Sequence, residues 1–276
     1  NKPLVVTGTI NAYSALLAER AGIKAIYLSG GGVANASYGL PDLAMTSRED
    51  VLEDVRRIRS ASDLPLLVDI DTGWGSALSI SRTIKEMISA GASGVHIEDQ
   101  VSEKRCGHRP NKEIVSCEEM VDRVKAAKDA QTDDNFLLMA RTDAFAKGGL
   151  QEVIDRSNAF IEAGAGAIFP EAISTLKDYE EISKNVSKPI LANITEFGMT
   201  PLFSHNDLAD AGVKIVLHPL SAFRAMSKAA EKVYATLASG GDHEGLLDKM
   251  QTRDELYDVL DYHMYEEKID KLFEKN

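Results

Sequence analysis

A repeated pattern of helix, Ala-Gly and short β-rich run limits the possible folds of this chain more than any other feature. It appears as ERAGIKAIYLS, ISAGASGVHIED, IEAGAGAIFPEA and ADAGVKIVLHPL. Glycine suits the left-handed turn that ends a helix, and the branched and aliphatic residues after it suit a strand buried on both faces. Each copy therefore predicts a helix followed by a strand.

Further apolar runs complete a barrel pattern. PLVVTGT, LPLLVDID, NFLLMARTD and KPILANIT bring the predicted strands to eight, with room for a helix between nearly every pair. This α/β pattern favours a (β/α)8 barrel, whose catalytic residues lie at the C-terminal ends of the strands. A doubly wound open sheet is the alternative, and it is disfavoured because the glycines at 30–32 lack the GxGxxG spacing.

The length and the C-terminal sequence predict the domain organisation. The chain has 276 residues, which suits one large barrel domain over 1–276. After the last predicted strand, TRDELYDVLDYHMYEEKIDKLFEK is typical of one further helix. We therefore expect a single domain with a C-terminal helical extension.

The composition excludes several classes of partner. The net charge of -12 opposes binding to nucleic acid or an anionic membrane, so an anionic ligand would need a local cluster of arginines. No apolar stretch approaches the roughly 18 residues that span a bilayer. The two cysteines lack CxxC spacing and no signal sequence opens the chain, so we expect a cytoplasmic protein without a membrane partner.

Acidic residues follow two of the predicted strands. Asp69 and Asp71 end LPLLVDID, and their spacing of two predicts that both side chains point to the same side of the strand. Glu98 and Asp99 end the HIED strand and would add acids nearby. The alternative is a solvated strand end, but four converging acids favour a hard cation such as Mg²⁺.

The motif KRCGHRPNK places a thiol in a basic loop. Cys106 lies between a Lys-Arg pair and a histidine, and these charges would favour its thiolate form. A setting of charged residues, rather than an apolar run, also argues against a buried structural cysteine. Cys117 has a different setting, because Ser116 and Glu119 fit a helix capping box around it. We expect Cys106 to be functional and Cys117 to be a bystander.

Polar residues at further strand ends, and two arginines beyond them, are also candidates. They are Arg141, Glu171, Asn193, Thr195, Arg224 and Arg253. Singly, each could be a core hydrogen-bonding residue or a solvated surface arginine. Together they suggest recognition of carboxylates, because guanidinium groups bind carboxylates through paired hydrogen bonds.

The motifs YLSGGG, VDIDTG, HIEDQ, KRCGHRPNK, MARTDA, FPEA, ILANITEFG, PLSAFRAM and MQTRDELY closely resemble those of the 2-methylisocitrate lyases, a branch of the isocitrate lyase and phosphoenolpyruvate mutase superfamily. The resemblance runs from about Thr7 to Lys268. It implies a barrel of that superfamily type with extra C-terminal helices exchanged between the subunits of a homotetramer. It also implies Mg²⁺-dependent retro-aldol cleavage of 2-methylisocitrate to pyruvate and succinate, a step of the methylcitrate cycle of propionate breakdown.

The resemblance assigns a role to each candidate position. Mg²⁺, or Mn²⁺ in its place, would be held by Asp69, Asp71 and Asp42. The substrate would be bound by Ser29, Gly30, Gly31, Cys106, Gly107, Arg141, Glu171, Asn193, Ile194, Thr195, Arg224 and Arg253. The catalytic group would comprise Cys106, His108, Glu98 and Tyr27. Cys106 would be the acid that protonates the carbanion, and it lies in a mobile loop, 104–112, whose closure excludes water.

The resemblance leaves two points open. Tyr27, Glu98 and a metal-bound water are alternative bases for the substrate hydroxyl. Isocitrate lyase or another superfamily 2-oxo-acid lyase is the alternative activity, since one methyl group changes binding by only about 1 to 3 kcal/mol.

Trp74 departs from the family pattern, where a smaller aromatic residue is expected, and it would reshape the pocket wall.

Overall fold

The computed structural model describes residues 2–109, 111–242 and 244–273. The chain divides into two compact units, residues 1–223 and 224–276. The prediction that residues 1–276 form a single domain is not tested by this division, and it stays a prediction.

The first unit contains the predicted barrel. Within the described residues its eight strands are β1 (Leu4–Gly8), β2 (Ala25–Leu28), β3 (Leu66–Asp69), β4 (Gly94–Glu98), β5 (Leu137–Thr142), β6 (Ala167–Pro170), β7 (Leu191–Asn193) and β8 (Ile215–His218). All pairs are parallel, in the order β6-β5-β4-β3-β2-β1-β8-β7. A parallel bridge between Ile168 and Ile190 links β6 to the start of β7, so the barrel is nearly closed and the prediction is confirmed.

Helices fill the intervals between the strands. They are α1 (Ala12–Arg20), α2 (Gly30–Gly32) with a π-helical turn (Val33–Ser37), α3 (Arg48–Ala61), α4 (Ala77–Ser89), α5 (Cys117–Asp129), α6 (Phe145–Glu162), α7 (Leu176–Asn185) and α8 (His205–Asp210). The next helix, α9 (Ser221–Ala238), crosses the boundary between the units. Ser116 caps α5 as predicted, by accepting the Glu119 N–H at 3.2 Å.

Strand alternation divides the buried side chains into two cores. Successive residues of a strand point to opposite faces, so Ile26 packs in the layer between strands and helices while Tyr27 lies in the barrel interior. Met139 and Phe169 also belong to the interior cluster. The same alternation directs polar residues near the strand ends into the mouth of the barrel.

The second unit contains the remaining helices. They are the rest of α9, a 3-10 turn (Glu244–Lys249), α10 (Arg253–Val259) and α11 (Tyr262–Phe273). The prediction of one final helix is wrong, because the helix is interrupted at Asp261, which has a left-handed backbone conformation with a φ of 50°. Tyr257 and Tyr262 stack across this break, with ring centroids 4.2 Å apart. Glu274 and Lys275, the last two residues of the predicted helix, lie outside the described residues.

None of the helices in the described segments combines the length and the apolar character needed to cross a membrane.

Two residues of α4 provide a test of the outer core. Ile84 is fully buried, whereas Leu78 is 83% exposed. Ile84→Ala should lower the free energy of unfolding by about 2 to 5 kcal/mol, because it removes buried methyl groups and leaves a cavity. Leu78→Ala should change it by less than about 0.5 kcal/mol. Urea unfolding of both variants measures the difference, and equal effects would contradict the assignment of the buried face.

Candidate active site

Three acids gather beside the glycine turn after β2. A Cβ atom on Gly30 would lie 3.1 Å from Asp71 Oδ1 and 3.2 Å from Asp69 Oδ2, and one on Gly31 would lie 3.0 Å from Asp42 Oδ2. Any side chain at these positions would crowd the carboxylates. The absence of side chains at these two glycines therefore leaves room for the three carboxylates.

Backbone geometry explains how Asp69 and Asp71 meet. Asp69 ends β3, while Asp71 lies beyond the strand with a φ of 47°. The Asp71 N–H donates to Asp69 Oδ1 at 3.0 Å, and the Gly30 N–H donates to Asp69 Oδ2 at 3.1 Å. The predicted convergence of the two carboxylates is confirmed, but a left-handed turn produces it rather than strand alternation.

Lys104 supplies a cation to these acids. Its Nζ lies 2.6 Å from Asp42 Oδ1 and 2.6 Å from Asp71 Oδ1. Burial lowers the pKa of Lys104, but Asp71, Glu98, Asp69 and Asp42 together raise it well above its usual value. The ammonium group therefore stays charged at the point where the carboxylates converge.

The pKa values of Asp69 and Asp71 are shifted in opposite directions. Burial raises the pKa of both, and for Asp69 this effect is outweighed by His96, Lys104 and Arg141, which lower it. For Asp71 burial prevails over the attraction of Lys104, and its pKa is raised. A second cation at this site would therefore stabilise the charged form of Asp71.

Arg141 is the centre of a second group of buried charges. Its Nε donates to Asp143 Oδ2 at 2.9 Å and lies 3.3 Å from Glu98 Oε2, and its Nη1 lies 3.3 Å from Glu171 Oε2. The guanidinium group also lies over the Phe169 ring, 5.1 Å from its centroid. Burial raises the pKa of Glu98 well above its usual value, and its Oε1 is buried without a hydrogen-bond partner.

His108 reaches the same group from the loop that follows β4. Its Nδ1 accepts the Met199 N–H at 3.0 Å, so the ring proton is on Nε2, which lies 3.1 Å from Glu171 Oε1. Asn193 Nδ2 lies 3.3 Å from Glu171 Oε2. The histidine, the amide and Arg141 therefore surround one carboxylate, Glu171.

The other predicted substrate-binding residues differ in their burial and in their hydrogen bonds. Thr195 is buried beyond β7, and Ser29 caps α2 by accepting the Gly32 N–H at 3.1 Å. Ile194 packs in the outer core, and its N–H already donates to Leu217 O at 2.8 Å. Ile194 therefore presents neither an N–H nor a polar side chain to a ligand.

The loop that follows β4 is packed tightly over the mouth. A Cβ on Gly107 would lie 2.4 Å from Arg141 Nη2 and 2.7 Å from Glu171 Cδ, so only glycine fits there. Buried Lys112 fixes the loop, because its Nζ donates to Gly107 O at 2.5 Å and to Asp143 Oδ1 at 2.5 Å. Pro110 lies outside the described residues.

Cys106 corrects the prediction of a thiolate. Burial raises the pKa of its thiol, outweighing the lowering by the His108 N–H, and the charges of Asp42 and Glu171 raise it further. Lys104 points to the acids instead of neutralising the sulfur. Cys106 is therefore a thiol at neutral pH, and it lines a cavity of about 820 Å³ on the loop surface together with Asp42 and Arg109.

Tyr27 lies in the barrel interior below the acids. Its hydroxyl is 2.9 Å from His96 Nε2 and 3.3 Å from Asp69 Oδ2. Burial and the charge of Asp69 raise the pKa of Tyr27 well above its usual value, while burial lowers that of His96 to about 4. The pair is therefore neutral, and the phenol is a hydrogen-bond donor.

Asp99 and Trp74 have partners that indicate structural roles. Asp99 accepts hydrogen bonds from Thr142 Oγ1 at 2.7 Å and from the Asp143 N–H at 2.9 Å. The expectation that Asp99 would join Asp69 and Asp71 is therefore wrong. The Trp74 indole N–H donates to Thr46 O at 3.1 Å, and the ring packs against the outer core.

Arg224 and Arg253 belong to the second unit. Arg224 lies in α9, and Arg253 is the first residue of α10, whose cap is Thr252. Their predicted contact with the substrate stays a prediction.

Sequence reasoning missed three residues that hold the site together, namely Lys112, Asp143 and His96. Asp143 follows Arg141 by two residues at the end of β5, a spacing that could have indicated it. No sequence signal shows that Lys104 and Lys112 point inward.

In this structure a lysine ammonium lies beside two of the three predicted metal ligands. Within 2–109, 111–242 and 244–273, no three His, Cys, Asp or Glu side chains are placed to hold an ion together. The Lys104 ammonium lies between Asp42 and Asp71 instead.

Fold and site together define the class of (β/α)8 barrels with an acidic, arginine-containing mouth covered by a loop. The family model described as phosphoenolpyruvate phosphomutase matches residues 1–238, and the chain belongs to this family. The chain is 61% identical over 277 residues to the 2-methylisocitrate lyase of Vibrio cholerae serotype O1, covering 98% of this chain and 90% of that protein. It is 58% identical over 275 residues to the 2-methylisocitrate lyase of Escherichia coli K12, with 99% and 93% covered.

Solved structures agree with this family. A 2,3-dimethylmalate lyase, described as a member of the PEP mutase/isocitrate lyase superfamily, aligns with a TM-score of 0.89 at 30% identity, covering 98% of this chain and 90% of the other. A phosphonopyruvate hydrolase solved with oxalate and Mg²⁺ aligns with a TM-score of 0.86 at 29% identity, covering 99% and 95%.

The protonation state of Cys106 can be tested by alkylation. The thiolate is the reactive form, and burial raises the thiol pKa, so alkylation of Cys106 by iodoacetamide should be slow at pH 7 and should still accelerate above pH 9. Mass spectrometry of the native protein separates Cys106 from Cys117. A rate for Cys106 that is already at its plateau at pH 7 would contradict a neutral thiol.

The role of Lys112 can be tested without an activity assay. Lys112→Met removes the hydrogen bonds to Gly107 and Asp143, so amide hydrogen exchange in residues 104–109 should accelerate at least about tenfold. Lys125→Met changes an exposed lysine of α5 and is the matched control. Equal exchange in both variants would show that Lys112 does not hold the loop.

Proposed function

We propose that this protein is a Mg²⁺-dependent lyase that cleaves 2-methylisocitrate to pyruvate and succinate. The observation that carries the proposal is the identity of 57–61% over almost the whole chain to four bacterial 2-methylisocitrate lyases. The buried acids, Arg141 and the covering loop support it, because a tricarboxylate needs a cationic, water-excluding site. The reaction is a step of propionate breakdown through the methylcitrate cycle.

The acids suit a magnesium ion. Asp69, Asp71 and Asp42 offer carboxylate oxygens, the ligands that Mg²⁺ prefers, and Glu98 lies close by. The Lys104 ammonium, 2.6 Å from Asp42 and 2.6 Å from Asp71, stands in for a cation between them. When bound, the ion would supply Lewis-acid polarisation of the substrate's hydroxyl and carboxylate. Mn²⁺ has a similar preference for oxygen ligands and is expected to substitute.

Arg141 and its neighbours would bind the part of the substrate that becomes succinate. Cleavage of the C2–C3 bond leaves an electron pair on the carbon beside a carboxylate, forming an aci-carboxylate with two negative charges. Arg141 and Asn193 are donors held in position by Glu171, and His108 helps to hold that carboxylate through its Nε2. A fixed donor of this kind typically stabilises such a charge by about 3 kcal/mol. Thr195, Ser29 and the Gly31 N–H are proposed to hold the other oxygens, and Gly30 would line this part of the site, since its own N–H donates to Asp69.

Cys106 is proposed as the acid that completes the reaction. Because burial keeps it protonated, its S–H proton can pass to the carbanion, the sulfur becomes a thiolate, and succinate is released. In the synthetic direction the thiolate removes the same proton. Gly107 allows the loop to approach Arg141 closely enough for this transfer.

The base that deprotonates the hydroxyl is better matched by Glu98 than by Tyr27. Tyr27 is neutral and donates its own proton within the barrel interior, which leaves it no capacity as a base at neutral pH. Glu98 has a raised pKa and a buried Oε1 without a hydrogen-bond partner, and both properties suit proton uptake. A metal-bound water remains the alternative.

We also propose an assembly and a cellular location. Helices α9–α11 carry many exposed apolar side chains, among them Tyr234, Leu272 and Phe273, which suits burial against other subunits in a helix-exchanged homotetramer. Arg224 and Arg253 are proposed to complete a substrate site in that assembly. The two cysteines are free, which suits a cytoplasmic location.

The substrate is tested by one comparative assay. With Mg²⁺ present, 2-methylisocitrate should be cleaved to pyruvate with a higher kcat/KM than isocitrate is cleaved to glyoxylate. One methyl group in a matched pocket accounts for a ratio of roughly 10- to 200-fold. A preference for isocitrate, or no cleavage of either compound, would reject the proposed substrate.

The acid is tested by replacing the sulfur. Cys106→Ser should lower turnover by roughly 10²- to 10⁴-fold, because the hydroxyl is a far weaker acid in the same position. Substrate binding, measured by isothermal titration with Mg²⁺ present, should persist. Cys117→Ser is the control and should retain turnover. Near-normal turnover in Cys106→Ser would exclude the sulfur as the proton donor.

A further inference from the structure

Two histidines face each other on the barrel unit. His205 is the first residue of α8, and His218 is the last residue of β8. Their Nε2 atoms are 2.9 Å apart, and their rings are tilted by 47°. His205 is exposed and His218 is half-buried, so the pair is open to solvent.

The backbone fixes the tautomer of His218. Its Nδ1 lies 3.2 Å from Ile194 O, and a carbonyl oxygen can only accept, so the Nδ1–H donates and Nε2 carries the lone pair. A carbonyl partner on the second ring nitrogen is the usual support of a histidine that binds a metal. Burial and the neighbouring His205 lower the pKa of His218, which favours the neutral, ligating form.

The separation of the two nitrogens selects a class of ion. For metal–nitrogen bonds of about 2.0–2.1 Å, nitrogens 2.9 Å apart subtend an angle of about 90° at the metal. That is the cis angle of square-planar and octahedral sites, which Cu²⁺ and Ni²⁺ adopt, whereas tetrahedral Zn²⁺ would need about 3.3 Å. The charge of Glu196, which acts on His218, adds attraction for a cation.

We propose that His205 and His218 form a two-histidine binding site for Ni²⁺ or Cu²⁺, made of residues other than the acids at 42, 69 and 71. In the binding step the Nε2 proton of His205 moves by way of solvent to Nδ1 of the same ring, so both rings stay neutral and the ion takes the two Nε2 lone pairs. Across the segments that the structure describes, no three side chains of metal-binding type are grouped, so water fills the other positions. The ion would link the start of α8 to the end of β8.

Calorimetric titration of NiCl2 into untagged protein tests this site. Excess MgCl2 is included so that Mg²⁺, rather than Ni²⁺, binds to the carboxylates of the mouth. We expect one tight site per chain, and a thermal unfolding midpoint that rises with Ni²⁺. His205→Gln and His218→Gln should each weaken Ni²⁺ binding at least about tenfold and remove the rise in the midpoint.

A matched control and a spectroscopic readout make the test decisive. His263→Gln changes an exposed histidine that pairs with Glu266 in the other unit, and it should retain Ni²⁺ binding. Cu²⁺ bound to the parent protein should show coupling to two nitrogens by electron paramagnetic resonance, reduced to one in His205→Gln. Because His205 is exposed, this variant should fold normally. Unchanged Ni²⁺ affinity in His205→Gln would overturn the proposal.

Discussion

Charge balance in a buried space is the constraint on which the rest of this site depends. The mouth of the barrel brings several carboxylates out of water, and a buried charge is stable only when it is paired or neutralised. Arg141 is supplied by the barrel itself, and it contacts three of the acids. Lys104 and Lys112 come from the loop after β4. The loop is therefore part of the electrostatic structure of the mouth as well as its cover.

This arrangement links loop closure to the chemistry. Lys112 binds the Gly107 carbonyl and Asp143 at once, so closing the loop over Arg141 also pairs a buried acid. In this loop position burial and the charges of Asp42 and Glu171 outweigh the opposing effect of Arg141 on the pKa of Cys106, so the sulfur stays protonated. A neutral acid next to fixed guanidinium and amide donors suits a reaction that first develops a carbanion and then protonates it. Lys104 occupies the region that a divalent ion would share.

Much of the framework could be predicted from the sequence, because strands buried on both faces are marked by apolar runs and Ala-Gly turns. The eight strands follow from that pattern. The spacing of Asp69 and Asp71 predicts that their side chains converge, although a left-handed turn at Asp71 produces the convergence. The protonation of Cys106 could not be predicted, because adjacent residues need not point the same way and Lys104 turns towards the acids. The break at Asp261 also has no sequence signal, since neither glycine nor proline marks it.

The central claim is that the carboxylates of the mouth hold one cation in common, either the Lys104 ammonium or a divalent ion. Titration of Mn²⁺ followed by electron paramagnetic resonance measures this competition directly, in the parent protein and in Lys104→Gln. Removing the competing ammonium should tighten Mn²⁺ binding, because a positive charge 2.6 Å from Asp42 and from Asp71 opposes a second cation. Unchanged or weaker Mn²⁺ binding in Lys104→Gln would contradict the account.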